Sequence, residues 1–193
     1  MKTGNINILI AFLLIFSCSF SQVKLEGKII SGRTKLKPTE SVLIVPEKTS
    51  KGTFTDSLGN FVLDNLEFNK TYILKTSSIE LGTVEIELKT GNESVIRKTF
   101  EINSNCKFNS ESAETDWINK NPKLLLIGSI VPIGNSRKDK KFEERYKIKY
   151  YDFGCTPEAL ECIIEYNKTI FKLMNLKYGK KWKSRMRKDV ILN

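Results

Sequence analysis

Gly154-Cys155-Thr156-Pro157-Glu158 places a thiol at the start of a predicted helix, where the helix dipole lowers a cysteine's pKa and favours the nucleophilic thiolate. The rest of the chain gives that thiol no partner. The 193 residues include no histidine. This removes the usual general base near neutral pH, the commonest metal ligand, and both Ser-His and Cys-His nucleophile pairs. The three cysteines beyond Cys18, without histidine, do not close a zinc site. The carboxylates of the C-terminal half, Glu143, Glu144, Asp152, Glu158, Glu161 and Glu165, have no spacing that sets two across a cleft, and Glu161 and Glu165 are simply neighbours on a helix face. An enzyme using Cys155 or these carboxylates is therefore an alternative reading. No catalytic residue, metal ligand or cofactor is assigned.

The cysteines have a second use. Export would leave Cys106, Cys155 and Cys162, of which two should pair in an oxidising compartment. Seven positions of one regular helix separate two residues by about 10 Å, too far for a bridge. With Thr156 as N-cap and Pro157 in the first turn, however, Cys155 precedes the helix. Cys155 and Cys162 are then the candidate disulfide, with Cys106 as the alternative partner.

Export itself is expected from residues 1–21. Lys2, an apolar run from Ile8 to Phe16, and small residues before a cleavage between Ser21 and Gln22 form a signal-peptide pattern. The run falls well short of the ~20 residues that span a bilayer. Ile15-Phe16-Ser17-Cys18 approaches a lipoprotein box, but Phe16 fits poorly there, so simple cleavage is expected over lipidation of Cys18. The expected location is the periplasm, the outer membrane or the medium.

Charge is concentrated at the far end. The chain carries a formal +10, and residues 137–193 hold 16 Lys and Arg against 8 Asp and Glu. Lys180, Lys181, Trp182, Lys183, Arg185, Arg187 and Lys188 sit in a tail predicted to be helical, with Trp182, Met186 and Val190 four apart on one stripe. These residues are candidate contacts for an anionic surface, with Trp182 as an interfacial anchor. The favoured arrangement instead packs the stripe on the preceding helix and leaves the basic face in water. Expected partners are a protein, a glycan or an anionic envelope component, with peripheral membrane contact as a further option. Nucleic acid is not expected, since no nucleic-acid motif accompanies the charge. Tyr146, Tyr150, Tyr151 and Phe153 offer a stacking platform, though strand aromatics usually pack in or beside the core.

The elements that must position these groups fall into two sets. From Val23 to Ile102 short period-two runs alternate with turns, and six or seven strands at this spacing predict an antiparallel sandwich. Asp56-Ser57-Leu58-Gly59 carries hairpin chemistry, with Asp holding the turn backbone and Gly closing it. Val23-x-Leu25-x-Gly27-x-Ile29, Ser41-Val42-x-Ile44, Gly52-Thr53-x-Thr55-Asp56-x-x-Gly59-x-Phe61 and Tyr72-x-Leu74 together resemble the carboxypeptidase regulatory-like domain, a transthyretin-type (prealbumin-type) sandwich. The resemblance spans about 80 residues and implies a non-catalytic accessory module. Where that family has Gly-Tyr after a later strand, this chain has Ile79-Glu80-Leu81-Gly82.

Residues 103–123 are polar and are expected to be a linker, with Trp117-Ile118 pinning it to a neighbour. Leu124 to Pro132 reads as a buried strand, and Gly128 and Gly134 lack the Gly-Lys-Ser/Thr ending of a phosphate loop. One or two helical turns over 139–146, a strand at 147–153 and a helix to Gly179 follow. The domains expected are a signal peptide (1–21), the sandwich (22–102), the linker (103–123) and a small basic α+β unit with two or three helices (124–193). This last unit resembles uncharacterised bacterial proteins through Phe142-Glu143-x-x-Tyr146-x-Ile148-x-Tyr150, Asp152-Phe153-Gly154-Cys155 and Tyr178-Gly179-Lys180-x-Trp182. That likeness implies a folded unit and nothing more. The resulting expectation is an exported, non-catalytic accessory, binding or scaffold protein of the bacterial envelope.

Overall fold

Alternation of apolar and polar side chains generates two sheets. The computed structural model describes residues 22–47, 49, 51–127, 135–154 and 157–190. The signal peptide with Cys18 and Ser21, the 128–134 segment, and Cys155 with Thr156 lie outside these residues.

Strands β1 (Val23–Ser31), β4 (Asn60–Leu66) and β7 (Val95–Ile102) form one sheet in the order β4-β1-β7, with β1 antiparallel to β4 and parallel to β7. Strands β2 (Leu43–Pro46), β3 (Thr53–Phe54), β5 (Thr71–Ser78) and β6 (Gly82–Lys89) form the other, in the antiparallel order β3-β2-β5-β6. Both sheets contribute side chains to one core, which includes Leu25, Ile29, Ile44, Phe61, Leu74, Leu88 and Ile102. The mainly β sandwich read from the sequence is therefore present, but it is not wholly antiparallel as expected, because β1 and β7 pair in parallel.

Two glycines of the motif have distinct reasons. Gly27 pairs with Phe61 across β1 and β4, and any Cβ at position 27 would overlap the Phe61 ring. The irregularity in β1 falls elsewhere, between Val23 and Leu25. Gly59 has φ +84° at the β3–β4 turn and donates to the Asp56 carbonyl at 3.0 Å. Asp56 Oδ1 accepts from the backbone of Leu58 and of Asn60, each at 2.8 Å, so this carboxylate closes the turn as expected. Those hydrogen bonds, from Asn60 foremost, hold its pKa below the ordinary aspartate value.

The C-terminal unit is α+β, with a core of its own. Helices α1 (Ser110–Ile118), α2 (Arg137–Tyr146) and α3 (Leu160–Tyr178) accompany a parallel pair, β8 (Lys123–Leu126) and β9 (Lys149–Asp152). Leu124, Leu125, Phe142, Ile163, Ile170, Met174 and Trp182 are among the residues buried in this second core. The Asn167 side chain on α3 accepts from Leu125 N and donates to Leu125 O, both at 2.9 Å, which holds β8 against the helix.

Three expectations are corrected. The 103–123 segment contains α1, capped by Asn109 in a reciprocal box with Ser112 and carrying buried Ala113. Trp117 packs against the second core, while Ile118 is 77% exposed. Helix α3 starts at Leu160, three residues after Pro157, and backbone carbonyls of the sandwich take its first amides. The tail is a short 3₁₀ helix (Lys181–Arg185) followed by a bend at Met186 and a turn at Lys188-Asp189, and Val190 forms an antiparallel bridge with Leu126.

Candidate functional site

The start of α3 is fixed to the sandwich through groups the sequence offered as catalytic candidates. Leu160 N donates to Ile79 O at 3.0 Å and Glu161 N to Glu80 O at 3.1 Å, which satisfies helix amides that have no intrahelical acceptor. Glu161 is buried and accepts from Ser31 Oγ at 2.7 Å and from Ser104 Oγ. Glu165 pairs with Arg33 and accepts from Ser110 Oγ at 2.9 Å. Glu158 accepts from the backbone of Lys107 at 2.6 Å and of Phe108 at 3.1 Å. Glu143 accepts from Tyr150 N at 2.9 Å. Each of these carboxylates completes a structural contact, and Glu143 also lines, with Glu144, a surface cavity of about 480 Å³ bordered by Lys120, Lys140, Lys147 and Lys149.

Cys162 follows Glu161 and is joined by a disulfide to Cys106, with Cα atoms 5.5 Å apart. The bridge therefore uses the alternative partner rather than Cys155. It ties the strand-to-helix segment after β7 to α3, beside the buried Glu161.

The predicted anionic-surface residues divide into two groups. Trp182 is fully buried, packs edge-on against Phe171 at 4.8 Å between centroids, and donates Nε1 to Asn175 Oδ1 at 3.1 Å. An interfacial anchor needs an exposed ring, so Trp182 cannot serve as one. Arg187 is likewise engaged: its guanidinium pairs with Asp189 and lies 3.9 Å from Asp139, and its backbone N–H donates to Tyr150 Oη at 3.1 Å. Asp189 beside it raises the Arg187 pKa, and Arg187 in turn lowers that of Asp189. Lys180, Lys181, Lys183, Arg185 and Lys188 remain exposed.

Lys181 and Arg185 also border a surface cavity beside the tail. With Arg145, Tyr146, Tyr178 and Ser184 they form its lining, and its volume is about 480 Å³. A neighbouring cavity of about 330 Å³ shares the Tyr146 wall and is lined by Trp117, Lys120, Pro122, Lys147 and Lys177. Six cations thus flank Tyr146, and neither cavity has a carboxylate among its described lining residues. None of the six forms an ion pair among the described residues. Two of them lie over aromatic rings instead. Lys177 Nζ is 5.4 Å from the Trp117 centroid and Arg145 is 5.8 Å from that of Tyr146.

The expected platform of Tyr146, Tyr150, Tyr151 and Phe153 divides in the same way. Tyr146 is buried, its carbonyl accepting from Tyr178 Oη at 3.0 Å. Tyr150 stacks on Phe142 at 5.5 Å, and burial pushes its hydroxyl pKa up to about 12. Tyr151 and Phe153 cluster with Phe108. Arg145, Lys120, Lys147 and Lys177 were not singled out in the sequence, because their convergence on Tyr146 is a product of tertiary folding.

Residues 25–111 match the model of the CarboxypepD_reg-like domain family, to which the N-terminal unit is similar. The match covers the sandwich and the first residues of α1, and leaves the cation-lined unit outside it. No curated protein matches the chain. Among solved structures, a type II cohesin–X-dockerin complex from Acetivibrio cellulolyticus is similar at 18% identity and a TM-score of 0.34, over 56% of this chain and 78% of that one. A candidate carbohydrate binding protein from Bacteroides uniformis is similar at 17% identity and a TM-score of 0.28. That alignment covers 42% of this chain and 40% of the other.

Proposed function

We propose that this is an exported, non-catalytic binding protein of the cell envelope, in which the regulatory-like sandwich is a platform and the C-terminal unit holds an anionic partner. The observation that carries the reading is the double cavity around Tyr146, with six cations at its walls, Glu143 and Glu144 lying instead in the adjoining cavity that shares Lys120 and Lys147. Clustered like charges on low-dielectric walls repel one another and concentrate counter-ions, so an incoming anion relieves a cost already present in the free protein. Export is supported by the signal-peptide pattern and by a disulfide of the kind that persists in oxidising compartments. The engagement of Glu158, Glu161 and Glu165 at the junction favours binding over catalysis.

The reading is tested by equilibrium binding of the full chain to dextran sulfate beside uncharged dextran. Binding to the sulfated polymer alone, weakening as salt rises, is expected. Equal binding to both polymers, or to neither, would overturn it.

A further inference from the structure

The larger of the two cavities is more specific than a basic face. Arg145, at the end of α2, and Arg185, in the tail, line it together with Lys181 and Ser184. Tyr146 and Tyr178 form an aromatic wall, held in place by the Tyr178 Oη to Tyr146 O hydrogen bond at 3.0 Å. The third arginine of this region, Arg187, is neutralised by Asp189 and Asp139, whereas Arg145 and Arg185 have no carboxylate partner among the described residues.

We infer that this cavity is a binding site for a phosphate monoester, a chemistry that deepens, and rests on, the polyanion reading above. Three cations around one cavity are poorly matched by a carboxylate, which brings a single charge and two oxygens. A phosphate monoester carries about −1.5 to −2 charge at neutral pH and three terminal oxygens. Each guanidinium can hold two of those oxygens at once, a fork geometry that lysine cannot reproduce. Lys181 supplies a point charge. Ser184 Oγ now donates to Lys181 O at 3.0 Å and can turn to the third oxygen. The phosphate can be carried by the sugar of an envelope glycan or by a lipid headgroup. The chemistry at the cavity is the same for both.

The test measures binding of glucose 1-phosphate and of glucuronate to the full protein, following the arginine side-chain NMR signals, beside sedimentation with phosphatidic acid vesicles. Saturable binding of glucose 1-phosphate, with glucuronate at least about tenfold weaker, is expected. The double variant Arg145→Lys, Arg185→Lys keeps every charge but loses both forks. It should lose about tenfold or more in affinity for glucose 1-phosphate while keeping its binding to dextran sulfate. Binding of the sugar phosphate without vesicle association assigns a glycan source, and vesicle association competed by glucose 1-phosphate assigns a lipid source. An unchanged affinity in the double variant overturns the site. So does an absence of glucose 1-phosphate binding at about 10 mM in a protein that still binds dextran sulfate, and the general reading then stands. If dextran sulfate is not bound either, both fail.

Discussion

Ser31 at the end of β1 donates its hydroxyl to Glu161 at the start of α3, 130 positions later in the chain, at 2.7 Å. Ser104 reaches the other oxygen of the same buried carboxylate. Sandwich and C-terminal unit are thereby joined by a polar contact enclosed from water, next to the Cys106–Cys162 bridge. Replacing Glu161 with Ala removes the acceptor of the buried Ser31 hydroxyl, whereas Ser104 keeps Leu81 O at 2.8 Å, and should cost about 1–3 kcal/mol. Glu161→Gln keeps an acceptor and should lose less. Urea unfolding should place the midpoints in the order wild type, Gln, Ala, and an Ala variant as stable as wild type would remove Glu161 from the junction.

The disulfide closes a loop of 56 residues. On the chain-entropy account such a loop contributes about 4 kcal/mol. The Cys106→Ser, Cys162→Ser variant should therefore unfold at clearly lower denaturant than the wild type, and the wild type should approach it when reduced. A variant of unchanged midpoint would mean that the bridge adds nothing to the native state.

Burial of Trp182 separates a core role from a surface one. Trp182→Ala should cost about 3–5 kcal/mol, as expected for a large core aromatic. Exposed Lys183→Ala should stay within about 0.5 kcal/mol of wild type. If membrane association were Trp182's role, the variant would instead lose vesicle binding at unchanged stability.

How much of this was legible follows from the range of the interactions. Asp56 and Gly59 specify their turn through contacts within four positions, and Gly27 signals close approach by its lack of a side chain, so the sandwich could be read directly. Helix α1 escaped because its apolar face is only Ala113 and Trp117. Its anchors, Tyr166 Oη to Asp116 at 2.6 Å and Ser110 to Glu165, lie about 50 residues away in the chain. The Trp182-Met186-Val190 spacing rightly implied burial, yet the tail leaves helical form after Arg185 because Val190 pairs with Leu126. Ile79-Glu80-Leu81-Gly82, where the chain departs from the regulatory-like pattern it resembles, holds the Ile79 and Glu80 carbonyls that receive α3. The cavity around Tyr146 could not be read at all, since its cations come from α2, α3 and the segments that follow α1, α2 and α3.

Alkaline pH offers an independent probe of the second core. Burial raises the Tyr150 pKa from about 10 to about 12 and raises that of Tyr166 further, aided by Asp116. A group whose folded pKa lies above its unfolded value contributes stability that is complete below the unfolded pKa and is lost as pH rises through the folded one. Stability should therefore hold to about pH 10 and fall between about 10 and 12. Tyr150→Phe should flatten the part of that fall due to Tyr150. Ultraviolet titration should show tyrosines ionising late in the folded protein, and simultaneous ionisation of all six near pH 10 would contradict the packing.

The central claim is that the C-terminal unit, and not the basic protein as a whole, holds an anionic partner. The most direct measurement compares dextran sulfate affinity in two charge-matched variants of the full chain, at about 50 mM and about 200 mM salt. One carries Arg145→Gln, Lys177→Gln and Lys181→Gln at the cavities. The other carries Lys28→Gln, Lys75→Gln and Lys98→Gln on exposed sandwich strands. At about 1 kcal/mol per cation near an anionic surface, the cavity variant should lose roughly a hundredfold in affinity at the lower salt, and the sandwich variant little. Equal losses in the two variants would show that net charge alone attracts the polymer, and would contradict a binding site in the C-terminal unit.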